Sequence, residues 1–224
     1  MCVICASPKG VRQPAVSEIK RMFFRNPDGA GYMAARDGKV IIHKGFMRLD
    51  DFMNALKSEH FTARDSVVYH FRISTQAGIN PAMTHPFPLS NQREVMKALD
   101  VRCGIGIAHN GIIRLTSDPD EKEYSDTAIF IADYLSQIVG GPDDLRDPVV
   151  LETIRCLIGS KMAILDGTGH IATVGQFFND RGLLFSNLHH RRLRAAFFCC
   201  AGIAPRLPRV GRRGKGRGTI PAGR

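Results

Sequence analysis

Short apolar runs separated by turn residues give the first reading of the chain. Residues 3–6 are continuously apolar, as in a strand buried on both faces, and Val40-Ile41-Ile42-His43-Lys44-Gly45-Phe46-Met47 predicts a second strand after the turn Arg36-Asp37-Gly38-Lys39. Asp50 or Asp51 is expected to cap a helix whose apolar face is Phe52, Ala55 and Leu56 and which ends before Phe61. Residues 66–74, β-branched and aromatic, form the clearest strand. A long loop over residues 76–91 follows. Residues 104–109 then predict a strand running into Asn110-Gly111, and Asn-Gly between apolar runs signals a hairpin to residues 112–115. Helical spacing returns over residues 125–139 and 149–158, and further strands are expected at 162–165, 171–174 and 183–185. Strands, then helices, then strands predict an α+β or layered arrangement rather than a doubly wound parallel sheet.

The pattern stops near His189, so one domain is expected over residues 1–190 and a disordered tail over 191–224, rich in Gly, Pro and Arg. At 224 residues and 44% hydrophobic, the chain is long enough to bury a large core. The net charge of +10 belongs to the end of the chain: residues 189–224 hold ten Lys/Arg and no Asp/Glu, which leaves 21 basic against 21 acidic residues elsewhere. Charge therefore says little about a substrate. It bears on nucleic acid only through the tail, where Gly211-Arg212-Arg213-Gly214-Lys215-Gly216-Arg217-Gly218 resembles a segment that binds phosphate backbones weakly, a solvated tail being the plainer alternative.

No stretch approaches the roughly 20 apolar residues of a membrane span, and the N-terminus lacks the features of a signal peptide, so a cytoplasmic location without membrane contact is expected. The six cysteines are expected to be reduced. Cys2 and Cys5 form a CxxC without the second pair that a zinc shell requires, and His70, His85 and His109 lack ligand spacing; no metal and no cofactor is expected.

Four features carry chemistry. Cys2 follows Met1, and removal of Met1 would leave one residue bearing both a thiol and an α-amine of pKa roughly 7.7–8.0, able to take the thiol's proton. A buried strand cysteine is the plainer alternative. Asn110 and Gly111 are candidate oxyanion donors, or a simple turn. Arg72, near the end of a buried strand, must meet a carboxylate from the protein or a ligand. Asp126, in Ser125-Asp126-Thr127, is either part of a helix cap or a ligand for an ammonium.

In chain order, Met1-Cys2, Asn26-Pro27-Asp28-Gly29-Ala30-Gly31, Arg72-Ile73-Ser74-Thr75-Gln76, Thr84-His85-Pro86-Phe87, His109-Asn110-Gly111 and Ser125-Asp126-Thr127 resemble the class II glutamine amidotransferases, in particular their stand-alone bacterial type. The resemblance spans most of residues 1–190. It implies a four-layer α/β/β/α sandwich of the N-terminal nucleophile hydrolase type. It also implies Cys2 as nucleophile on the side-chain amide of glutamine, Asn110 and Gly111 as the oxyanion hole, Arg72 on the substrate carboxylate, Asp126 on its ammonium, and Thr75 and His85 lining the pocket. The Asn26–Gly31 run has no catalytic role in this reading. Ile73 and Gln76 stand where many members have Trp and His, which weakens any transfer of acceptor chemistry. No synthase domain follows residue 190, so the ammonia would pass to a separate synthase subunit. Two rivals stay open: an amidase for another acyl amide, and a non-catalytic scaffold whose working part is the tail.

Overall fold

Side-chain alternation along β1 (Val3–Ser7) divides the core. Val3 and Cys5 pack with Ile19, Met22 and Phe23 of α1 (Val16–Arg25) and with Phe52 and Met53 of α2 (Leu49–Glu59). Ile4 and Ala6 face the other way, against Ala108, Ala163 and Leu165. Those three residues belong to β7 (Ile105–Asn110) and β8 (Lys161–Asp166), whose alternate residues Ile105, Ile107, Met162 and Ile164 pack with a third cluster. That cluster contains Ala128 and Phe130 of α3 (Asp126–Phe130), Ile131 and Leu135 of the π-helical stretch Ile131–Leu135 that continues it, and Ile154 and Ile158 of a later helix. The π-helical stretch leads into α4 (Ser136–Ile138), and the later helix is α5 (Pro148–Ile158).

The structure, a computed structural model, describes residues 2–73, 80–116 and 123–191, all within one compact unit, Met1–Arg192. It is a mixed α+β protein with two antiparallel sheets. The remaining strands are β2 (Ala30–Arg36), β3 (Lys39–Phe46), β4 (Val67–Phe71), β5 (Phe87–Pro88), β6 (Asp100–Cys103), β9 (Ile171–Val174), β10 (Phe178–Asp180) and β11 (Leu183–Phe185). The larger sheet has the order β10-β11-β1-β4-β2-β3-β6 and the smaller β5-β7-β8-β9. β1 is thus central to the first sheet, with Val3 opposite Phe71 and Cys5 opposite Phe185. Among the described residues no helix is long and apolar enough to cross a membrane.

Local chemistry explains several elements. The β2–β3 turn places Asp37 and Gly38 at φ 49° and 70°, the left-handed pair that matches the twist of a two-residue hairpin. α5 opens on Pro148, with the Asp147 carboxylate accepting from Val149 N at 2.7 Å, and closes on Gly159 at φ 57°.

Two sequence expectations change. α2 starts at Leu49, and its N-cap Arg48 makes no side-chain cap bond; Asp50 and Asp51 occupy the first turn, where carboxylates favour the positive end of the helix dipole. Asn110-Gly111 is not a hairpin turn. Asn110 is the last residue of β7, which pairs with β5 and β8, while Ile113 enters the core and residues Arg114–Thr116 coil into a 3-10 turn. Burial of Ile113 overrides the local turn signal. Of the basic tail expected over residues 191–224, Arg191 ends a 3-10 turn, His189–Arg191, and the rest lies outside the described residues, as does Thr75.

Candidate functional site

The strand pairing brings Cys2 and Arg72 to the same end of the larger sheet, each one residue beyond the Val3–Phe71 pair. Cys2 is half-buried. Its Sγ receives the Ile73 N–H at 3.4 Å and lies 3.6 Å from Ile73 O. Burial pushes the Cys2 thiol up, opposed by the Ile73 amide, the positive chain terminus and the Arg72 guanidinium. An attacking thiolate therefore needs a local proton acceptor.

Arg72 is buried, and among the described residues its Nη1 has no hydrogen-bond partner. Burial lowers its pKa, while the charges of Cys2, Asp28 and Asp126 raise it, so these three groups share its electrostatic surroundings. Leaving a buried donor unpaired costs roughly 1–3 kcal/mol, more when it is charged, and a ligand carboxylate would remove that cost. The Asn26–Gly31 run acquires a role here. Arg72 N–H donates to Gly29 O at 2.7 Å and Asp28 N–H to Arg72 O at 3.0 Å, which fixes the Arg72 backbone. A Cβ on Gly31 would meet His85 O at 2.3 Å, so only glycine lets the His85 backbone approach β2 there.

Asn110 is buried at the end of β7, and its Nδ2 donates to Ser186 Oγ at 2.8 Å. Ser186 Oγ also accepts from Ile4 N at 2.9 Å, so one hydroxyl joins Asn110 to the strand that follows Cys2. A Cβ on Gly111 would fall 2.4 Å from Ser160 Cβ, which only a glycine avoids.

Asp126 is the first residue of α3, and the helix is capped by its neighbour Ser125, whose hydroxyl accepts from Ala128 N at 3.2 Å. The Asp126 carboxylate accepts from Ile113 N at 2.7 Å through Oδ2 and from Thr127 N at 2.7 Å through Oδ1. It thereby braces the segment just beyond Gly111 while its charge bears on Arg72. His109 adds a second tie, Nδ1 to Thr127 Oγ1 at 2.8 Å and Nε2 to Ser160 Oγ at 2.6 Å.

No protein-family model matches the chain, and no curated protein matches it. The family resemblance rests on the motif residues themselves.

Among the described residues the His85 ring makes no hydrogen bond to Cys2, Arg72 or Asn110, although the Arg72 charge reaches it. It is buried, with ring centroids 4.4 Å from His70 and 4.8 Å from Phe87, and neither ring nitrogen has a hydrogen-bond partner among the described residues. Burial drives its pKa well below the usual histidine value, and the neighbouring His70 adds to this. Among the described residues no three His, Cys, Asp or Glu side chains converge as metal ligands do. An apolar depression on the outer side of α5, lined by Pro148, Val149, Thr153 and Leu157, contains none of the candidate residues.

Burial also lowers His70 to about 3 and His109 to about 4. An unfolded histidine takes up its proton near pH 6.5, so below that pH the unfolded chain binds protons that the folded one refuses. Folding stability is expected to fall as pH drops from about 6.5 towards 4. Lys44 acts in the same sense at higher pH. Burial lowers it to about 6, although its Nζ donates to Ala82 O and Met96 O at 2.8 and 2.6 Å. The unfolded lysine holds its proton to pH ~10.4, so stability rises between about pH 6 and 10. Denaturant melts across pH check both: Lys44→Met should flatten the alkaline rise and leave the acid loss.

Proposed function

We propose that this protein is an N-terminal nucleophile amidohydrolase of the class II glutamine amidotransferase type, which uses Cys2 to hydrolyse the side-chain amide of glutamine and release ammonia. The observation that carries this is the placement of the Cys2 thiol beside a buried guanidinium whose Nη1 has no hydrogen-bond partner among the described residues, within one hydrogen-bonded frame that also holds Asn110. The three clusters, helices on one sheet, sheet on sheet, and helices on the second sheet, support a four-layer α/β/β/α sandwich.

In this reading removal of Met1 exposes the Cys2 α-amine, which takes the thiol's proton, directly or through one water. The thiolate attacks the amide carbon, and the developing oxyanion is held by the Asn110 side-chain amide and the Gly111 N–H. The amine proton passes to the leaving nitrogen, the C–N bond breaks, and ammonia departs. Water then hydrolyses the γ-glutamyl thioester to glutamate and the free thiol. Arg72 takes the substrate α-carboxylate and Asp126 bears on its ammonium; the ammonia goes to water or to a separate synthase subunit, in a compartment that keeps thiols reduced, such as the cytoplasm.

The direct test is 6-diazo-5-oxonorleucine, a glutamine-shaped electrophile, with the adduct mapped by mass spectrometry on protein whose intact mass shows Met1 removed. Adduct on Cys2 is expected; adduct on another residue, or none, overturns the mechanism. A second reading has its own observation, since Asp126 already serves the Ile113 and Thr127 amides. An amidase for an acyl amide with a carboxylate but no ammonium would need Arg72 alone. Arg72→Ala is expected to raise the KM for glutamine by roughly 10-fold to 100-fold, the value of a charge-assisted bond of ~1.5–3 kcal/mol. If Asp126→Asn leaves that KM unchanged, the second reading gains.

A further inference from the structure

The chain segment after β11 touches both Cys2 and Asn110. Ser186 and Asn187 are buried. Ser186 Oγ accepts from Ile4 N and Asn110 Nδ2, its N–H donates to Ile4 O at 3.0 Å, and its carbonyl accepts from Lys161 Nζ. Asn187 Nδ2 donates to Cys2 O at 2.7 Å, and its Oδ1 accepts from His189 N at 3.1 Å, which fixes the way its amide faces. Two neighbouring side chains thus reach the nucleophile's own peptide, the strand behind it and the amide read as oxyanion donor.

We infer that Ser186 and Asn187 are positioning residues of the active site, which set the geometry of Cys2 and Asn110 for attack. The inference rests on the amidohydrolase reading and adds residues to it that none of the motifs contains. Its physical basis is the donor count. An Asn amide has two N–H groups, and Ser186 takes one of those on Asn110, which fixes the rotation about the side chain and leaves the other to point where negative charge develops. Asn187, by holding Cys2 O, fixes the peptide on the C-terminal side of the nucleophile and with it the position of the Cα from which the α-amine and Sγ both extend. Neither side chain contacts substrate in this scheme. A misplacement of about 1 Å in a reacting group can cost on the order of 10²-fold in rate, so the effect belongs in kcat rather than KM.

Ser186→Ala and Asn187→Ala test this in the full chain with Met1 removed. Each is expected to lower kcat for glutamine hydrolysis by roughly 10-fold or more with KM within about twofold. Ser186→Ala should leave the alkylation of Cys2 by iodoacetamide within about twofold, because that reaction builds no oxyanion. Ile105→Val, a core change at the opposite end of β7 from Asn110, serves as the control for a merely structural role and should lower Tm while kcat per folded molecule stays put. If Ser186→Ala does not fold, Asn187→Ala decides. An unchanged kcat in either folded variant overturns its residue's positioning role. Wild-type protein that hydrolyses no glutamine overturns the amidohydrolase reading itself, and the catalytic use of this segment with it.

Discussion

Cys2→Ala should lose glutaminase activity by roughly 10⁴-fold or more, to the level of the uncatalysed background, with the fold intact. The size follows from the role. A group that forms the covalent bond cannot be replaced by its neighbours, whereas a positioning or charge-stabilising group can be partly covered by them. The fold should survive because Cys2 lies outside β1 and, among the described residues, its Sγ takes part only in weak thiol contacts at 3.4 and 3.6 Å, while residues 3–7 keep five pairs with β4. Ala is also as small as Cys, so removal of Met1 need not change. Glutamine hydrolysis, circular dichroism and intact mass on one preparation check the three points together. Residual activity above about one hundredth of wild type would place the nucleophile elsewhere.

The second large effect is expected at Asn110. Asn110→Ala should lower kcat by roughly 10²- to 10³-fold, the usual loss when one oxyanion donor is removed, with little change in KM because the donor meets charge that exists only in the transition state. Stability should change far less. The substitution leaves the β7–β8 backbone pairing alone and removes one donor from Ser186 Oγ, which keeps its bond from Ile4 N; a single neutral hydrogen bond contributes about 1 kcal/mol. Steady-state kinetics beside a denaturant melt separate the two readings. A loss in both rate and stability of similar size would make Asn110 a sheet residue only.

These residues were unequally legible. β1, β3, β4, β8 and the helical stretches within 125–139 and 149–158 could be read from apolar spacing, with β-branched content marking the strands. β2, Ala-Gly-Tyr-Met-Ala-Ala-Arg, could not, since small residues with no β-branched member carry no strand signal and pair only because β3 and β4 flank them. α1 lacks a side-chain cap, so its start has no signature, although Ile19, Met22 and Phe23 share its buried face. Within the site, Cys2, Arg72, Asn110 and Asp126 stand out by residue type and motif order. Ser186 and Asn187 do not, because their meaning lies in partners 76, 182 and 185 positions away. Asp28 and Gly29 fall between: they belong to a visible motif, but the contact with Arg72 depends on β4.

That long reach has a consequence for how the protein is made. β1 has β11 as one of its two neighbours and Ser186 as the partner of its Ile4 amide, yet the ribosome produces β1 first and β11 nearly two hundred residues later. Until then one edge of an apolar strand lies open, and contacts of such sequence separation form slowly. The nascent chain thus carries its thiol from the start but cannot assemble a working centre around it before β11 arrives.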